Sequence, residues 1–214
     1  MWVFLLRLGV AVASPMEDAQ AEAVRLSQEI EKLAQRNAWA GVERMFKALE
    51  ATGVEPSFDT WVAGAHSARA SGDVSSARNR LASALTQQED RQVVDWLSDI
   101  DVHFGRVSLA CDPTLDASLD IEALPFHPEQ RRSIEFAASV LGATCLFDGL
   151  LPGGHYSLVW GSYRASFEVK PQVSSVRLDL RGMDPRLAKK KGKQKRREAA
   201  PEAVPEGTEV EPIL

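Results

Sequence analysis

Residues 59–86 read DTWVAGAHSARASGDVSSARNRLASALT, and their spacing decides the fold of the N-terminal half. Trp61, Ala65 and Ala68 fall at i, i+4 and i+7, one apolar face of a helix. Gly72-Asp73 breaks the pattern, and Ala77, Leu81 and Ala84 restart it. Working upstream, Leu26, Ile30 and Leu33 carry the same spacing, as do Val42, Phe46 and Leu49, whose helix stops at Gly53 ahead of Pro56. Leu26 precedes Trp61 by 35 residues, and Val42 precedes Ala77 by the same 35. Two helices per unit and a period in the mid-thirties predict a stacked helical array. Ser14-Pro15-Met16-Glu17 predicts the first helix start, with a hydroxyl cap, Pro at the first position and Glu closing the box. A fifth helix is expected from Glu89 to about Asp101, with Val93, Val94, Trp96, Leu97 and Ile100 apolar. It is placed to cover the end of the array or to seat the next domain.

The segment with Trp61, Ala65, Gly72-Asp73, Ala77, Leu81 and Ala84 resembles a tetratricopeptide repeat. The resemblance implies that Ala65 and Ala77 let paired helices approach while Trp61 and Leu81 fill the space between turns. The upstream unit departs from it, with Leu26 in place of the aromatic and Val42 in place of alanine. Gly53-Val54-Glu55-Pro56-Ser57 with Thr60-Trp61 also resembles a pentatricopeptide repeat, a relative that reads RNA. Such arrays read about one base per repeat, so two repeats would grip little RNA.

After Gly105 the apolar period changes from near 3.6 to 2. Val107, Leu109 and Cys111 alternate with polar or small residues, as do Leu119 and Ile121, then Ile134 and Phe136. Tyr163, Ala165, Phe167 and Val169 do the same, followed by Val176, Leu178 and Leu180. With segments near 144–147 and 155–160, this patterning predicts about seven short strands and an α+β chain ending in a small antiparallel β-sandwich. Gly142-Ala143, Asp148-Gly149 and Leu151-Pro152-Gly153-Gly154-His155-Tyr156 resemble the PEGA domain and its carboxypeptidase-regulatory-like relatives. The resemblance implies a turn at Pro-Gly-Gly, a core position for Tyr156, and a binding or spacer role without catalysis. A charged insert around Pro125–Arg132 departs from it. Cys111 shares the parity of Val107 and Leu109, and Cys145 lies two residues before Phe147, so both are expected to face inward. They are either two buried thiols or a disulfide, the latter if the Cα atoms lie within about 4.4–6.8 Å.

The expected organisation is a signal peptide over 1–13, a helical repeat domain over 14–104, a sandwich over 105–182 and a tail over 183–214. Residues 1–13, MWVFLLRLGVAVA, are apolar apart from Arg7 and end on the small-x-small tripeptide Ala11-Val12-Ala13. As a helix they rise roughly 20 Å, short of a hydrocarbon core of about 30 Å, so no transmembrane span is expected. The tail has no apolar period and opens with Arg186, Lys189, Lys190, Lys191, Lys193, Lys195, Arg196 and Arg197, before an Ala/Pro/Glu-rich end. That composition predicts disorder, and either electrostatic contact with an anionic membrane surface, cell-wall polymer or nucleic acid, or a solvated tail that keeps the protein in solution.

The composition, 44% hydrophobic with a net charge of −5, is globular and does not point to nucleic acid as the partner of the whole chain. His66, His103, His127 and His155 show no metal-ligand spacing, and neither cysteine has a histidine at suggestive spacing. No catalytic residue, metal or cofactor is expected. The expected function is a non-enzymatic adaptor, exported to a bacterial periplasm or envelope, that binds a protein or peptide through a face including His66 and Arg69. The alternative is a cytosolic nucleic-acid-associated protein using the pentatricopeptide-like unit and the basic tail.

Overall fold

A computed structural model describes residues 15–181 apart from 126, 173 and 174. Residues 1–13, expected as a signal peptide, Ser14, expected as a helix cap, and the basic run 186–197 all lie outside the described residues. The chain is α+β. Five helices come first: α1 (Pro15–Gln35), α2 (Trp39–Ala51), α3 (Phe58–Ser71), α4 (Val74–Gln87) and α5 (Arg91–His103). Then follow β1 (Phe104–Ala110), β2 (Ala117–Ile121), α6 (Pro128–Thr144), β3 (Leu146–Pro152), β4 (Gly154–Trp160), β5 (Tyr163–Val169) and β6 (Val176–Asp179).

The helices end where local chemistry ends them. Ser57 accepts a hydrogen bond from the Thr60 amide, Asp73 from Ser76 and Asp90 from Val93, each satisfying an otherwise unpaired amide at a helix start. Gly72 closes α3 in the left-handed region at φ 89°, and a Cβ there would overlap the Arg132 carbonyl of α6. The apolar spacing is what the helices bury: Leu26, Ile30, Val42, Phe46 and Leu49 form one cluster, and Ala65, Val74, Leu81, Val93, Ile100 and Phe104 another. A buried charge lies between them. Arg80 is 5% exposed, lies 4.1 Å over the Phe46 ring, and donates to Glu43 Oε2 at 2.6 Å and Oε1 at 3.0 Å. Its remaining donor capacity reaches the Gly64 carbonyl at 2.7 Å, and the Ser67 hydroxyl donates to Glu43.

Among the described residues six strands make two three-stranded sheets, β3-β1-β6 and β2-β4-β5. The expectation of an antiparallel arrangement needs correcting, because β6 runs parallel to β1, with Val107 beside Val176 and Leu109 beside Leu178. A second correction concerns Ile134 and Phe136, expected on a strand. They lie on α6, where Ile134, Ala137 and Leu141 are buried at helical spacing. The alternation Ile134-Glu135-Phe136 is three residues long and fits either period. Pro128 in the first turn, and the continuation to Leu141, decide for helix. The charged insert is therefore the approach to α6 and its first turn.

Helix α6 packs on β2 and β3, the edge strands of the two sheets, and joins a core of Val107, Leu109, Leu119, Leu151, Tyr156, Leu158 and Trp160. Tyr156 is 2% exposed and donates its hydroxyl proton to the Pro152 carbonyl at 2.9 Å. Burial holds its phenol well above the usual tyrosine range. Cys145 is not on a strand. It ends α6 in the left-handed region at φ 55° and is disulfide-bonded to Cys111, with Cα atoms 5.1 Å apart. The same pair is held by a backbone bond, the Cys111 amide to the Cys145 carbonyl at 2.9 Å.

The helices and sheets meet along a seam. α6 packs on α3, β3 on α4 and β1 on α5. Leu150 of β3 and Phe104 of β1 reach into the apolar cluster of α3, α4 and α5.

Candidate functional site

His66 and Arg69, three residues apart on α3, lie on one side of that helix, and the fold surrounds them with aromatics from two others. The exposed imidazole of His66 has the Trp39 ring of α2 5.5 Å away at 25° and the Trp96 ring of α5 4.4 Å away at 37°. Arg69 places its guanidinium 4.9 Å from the Trp96 ring. The result is a row, Trp39–His66–Trp96–Arg69, crossing three helices. Both indoles are half-buried, so each shows one part of its ring to solvent and uses the rest as packing. The indole N–H of Trp96 is buried and has no hydrogen-bond partner, a costly arrangement for a donor. Partial burial, then the charge of Arg69, hold His66 below the usual histidine range. The row presents two indoles and an imidazole beside the Arg69–Glu129 ion pair.

Arg69 also reaches out of the helical part. Its Nε donates to Glu129 Oε2 of α6 at 2.8 Å, and its Nη2 pairs with the same oxygen. The residue is 30% exposed and belongs to the seam as much as to the row. Both residues expected in the binding face are thus brought together, with Trp39 and Trp96 supplied by the fold. Trp96 had a sequence signal, as the aromatic in the apolar face of α5. Trp39 had none, because nothing in the sequence places a residue at the start of α2 beside one near the end of α3.

The other histidines take separate places. His103 Nδ1 lies 2.9 Å from the Asp99 carbonyl, His127 precedes α6, and His155 stands on β4, 3.9 Å from Glu168 of β5. Asp112 accepts from the Thr114 amide and hydroxyl in a turn, which holds its carboxyl below the usual range. Among the described residues no group of three or more His, Cys, Asp or Glu is placed to hold a metal ion. None of the described helices is long and apolar enough to cross a membrane.

Concavities elsewhere also adjoin the helices. A groove of about 580 Å³ lies between α1 and α3, with Val24, Ile30, Thr60 and Ala63 on its walls. A cleft of about 540 Å³ lies on the seam between the start of α4 and the β3-β1-β6 sheet, lined by Ser75, Asn79, Asp148 and Arg177 among others. Comparison of the chain with protein-family models, with curated proteins and with solved structures yields no match.

Proposed function

We propose that this chain is a non-enzymatic adaptor of a bacterial envelope that holds a protein or peptide partner on its helical part. In this reading the helices are two tetratricopeptide-like hairpins with α5 as their cap. The two sheets are a PEGA-like sandwich, a spacer or second binding module. The observation that carries the reading is the Trp39–His66–Trp96–Arg69 row. Partly exposed tryptophans beside an arginine are the side chains that dominate protein recognition, because they bury much area at little entropic cost. Export is supported by the apolar residues 1–13 and by the Cys111–Cys145 pair, since disulfides persist in oxidising compartments. The basic run Arg186–Arg197 adds contact with an anionic envelope surface.

The test is a photo-crosslinking amino acid placed at position 66 and, as a control, at position 122 at the end of β2. The reading expects one crosslinked protein from position 66, absent from position 122 and lost on Trp96→Ala. Equal labelling from both positions would refute the helical binding face. The N-terminus of the protein isolated from cells tests export separately: a chain starting at or just after Ser14 supports it, and an intact Met1 overturns it.

A further inference from the structure

The β2-β4-β5 sheet ends on a strand whose backbone is unsatisfied in an ordered way. Its pairing follows from two bonds that extend the β2–β4 ladder: the Glu122 amide to the His155 carbonyl at 3.1 Å, and the Gly161 amide to the Asp116 carbonyl at 2.9 Å. With this register, odd-numbered residues of β4 turn their N–H and C=O toward β2, and even-numbered ones turn theirs toward β5. The even residues of β4 face Tyr163, Ala165, Phe167 and Val169. Arg164, Ser166 and Glu168 therefore direct their N–H and C=O groups away from the sheet. Among the described residues no backbone bond reaches that edge. Helix α6 packs on β2 and β3, β6 has four residues whereas β5 has seven, and β5 comes near β1 and β6 of the other sheet without a backbone bond to either.

Edge strands of this length are ordinarily blunted by proline, a bulge, an inward charge or edge charges. β5 has only edge charges, one of each sign, and alternates cleanly, with Arg164, Ser166 and Glu168 exposed and Tyr163, Ala165 and Phe167 half-buried. Its two charges are of opposite sign and equidistant from Ser166. A second β5 laid antiparallel about Ser166 would put Arg164 opposite Glu168 of the other copy, twice, on the outer face. This register also makes 164, 166 and 168 the hydrogen-bonded pairs, as the outward backbone groups require. Shifting it by two residues one way sets Arg164 against Lys170, and the other way leaves Glu168 facing Ser162. On the inner face Ala165 would meet Phe167 and Tyr163 would meet Val169, covering apolar area that the edge now exposes.

We propose that β5 is the interface with a second copy of this chain, joining two sheets into one six-stranded sheet, β2-β4-β5-β5-β4-β2, about a two-fold axis at Ser166. Such an interface is isologous and closes at two copies. The side chains are available for it. Arg164 is 62% exposed and lies 3.2 Å from Asp120, and Glu168 is 42% exposed and lies 3.0 Å from Lys170. Both can keep these neighbours while reaching across, giving an alternating row of Asp120, Arg164, Glu168 and Lys170 spanning the two copies. The consequence for recognition is bivalence, with two helical binding faces per assembly.

Sedimentation of the full chain, 23.5 kDa as a monomer, decides the matter. Twice that mass is expected at tens of micromolar. Arg164→Glu sets like charges opposite each other, as does Glu168→Arg, and each is expected to weaken association about tenfold or more. An equimolar mixture of the two variants has opposite charges at every crossing and is expected to associate at least as tightly as the native chain. A native monomer up to millimolar concentration, a dimer indifferent to either reversal, or a mixture that stays monomeric would each overturn the proposal. Hydrogen exchange of the native chain gives a reading free of variants. The amides of Arg164, Ser166 and Glu168 should exchange more slowly as concentration rises, and concentration-independent exchange there refutes the pairing.

Discussion

The helical and sheet halves are each too small to be held by a large core, and they reach stability by opposite means. α1–α5 bury side chains supplied by near neighbours in sequence, with small residues Ala65, Ala68, Ala77 and Ala84 fully covered where helices cross. Their most deeply buried polar device is the Arg80–Glu43 pair, which joins α4 to α2 beneath Gly64 of α3, while the more exposed Arg78–Asp101 pair ties α4 to α5. The sheet half instead depends on contacts distant in sequence. β1 pairs with β3 some 40 residues on and with β6 about 70 residues on, and the Cys111–Cys145 bridge closes a 34-residue loop at the same corner. Each half is brittle at a different point: a buried charge in one, a chain closure in the other.

The largest effect is expected in the helical half. Glu43→Leu removes both short carboxylate bonds of the buried Arg80 guanidinium, leaving it the Gly64 carbonyl at 2.7 Å and the more distant Glu50 carboxylate at 3.8 Å. Breaking a buried pair by removing one partner costs about 3–5 kcal/mol. Urea unfolding followed by Trp61 and Trp96 fluorescence should register the loss. Replacing both residues, Glu43→Leu with Arg80→Met, should recover most of it, since an apolar pair leaves no charge unpaired. In the sheet half, Cys111→Ser removes the closure and should cost about 3–4 kcal/mol by the chain-entropy relation. Reduction of the native protein should lower its unfolding midpoint to match that variant. If instead the variant leaves the sheet amides as protected from exchange as before, the contrast between the halves fails.

The seam is the next place to press. Gly72→Ala both forces a side chain into the left-handed region and overlaps the Arg132 carbonyl, so a loss of about 1–3 kcal/mol is expected. It should fall on the docking of α6 against α3, read as faster amide exchange in the first turns of α6. Asp90→Ala, which removes the cap of α5, touches neither half's core and should cost about 1 kcal/mol.

Acid separates the halves more gently. His66 and Glu43 both have lowered values in the folded helical half. For Glu43, burial works against this but hydrogen bonds from Arg80 and Ser67 prevail. A group lowered on folding adds stability above its ordinary value and loses it as pH falls through the folded one. The helical half should therefore begin to weaken below the ordinary histidine value of 6.5, and again below 4.5. The lowered carboxylates of the sheet half, Asp112 and Asp179, have ordinary values of 3.8, and Asp179 is held down to about 2. Their contribution is present above 3.8 and is lost only in stronger acid. Unfolding midpoints from pH 8 to 3, with His66→Gln removing the first step, measure this order.

What the sequence determined by itself was what repeats over short distances. The five helices and their breaks were legible because Leu26, Val42, Trp61 and Ala77 head runs of 3.6-residue period, and glycines or capping residues stand between them. Four strands were legible from two-residue alternation sustained over four residues or more, and Tyr156 is buried, as expected at that position. Where the alternating window shrank to Ile134-Glu135-Phe136, both periods fitted and helix α6 was mistaken for a strand. Only the tertiary structure decided what depends on chain pairs without local signal. It set β6 parallel to β1, wedged α6 against both sheets, stood Trp39 beside His66 and paired Arg80 with Glu43 across 37 residues. Period reports which face a residue takes on its own element. Which element then covers that face is settled by the packing of the whole chain, where apolar area and every buried polar group must be satisfied together.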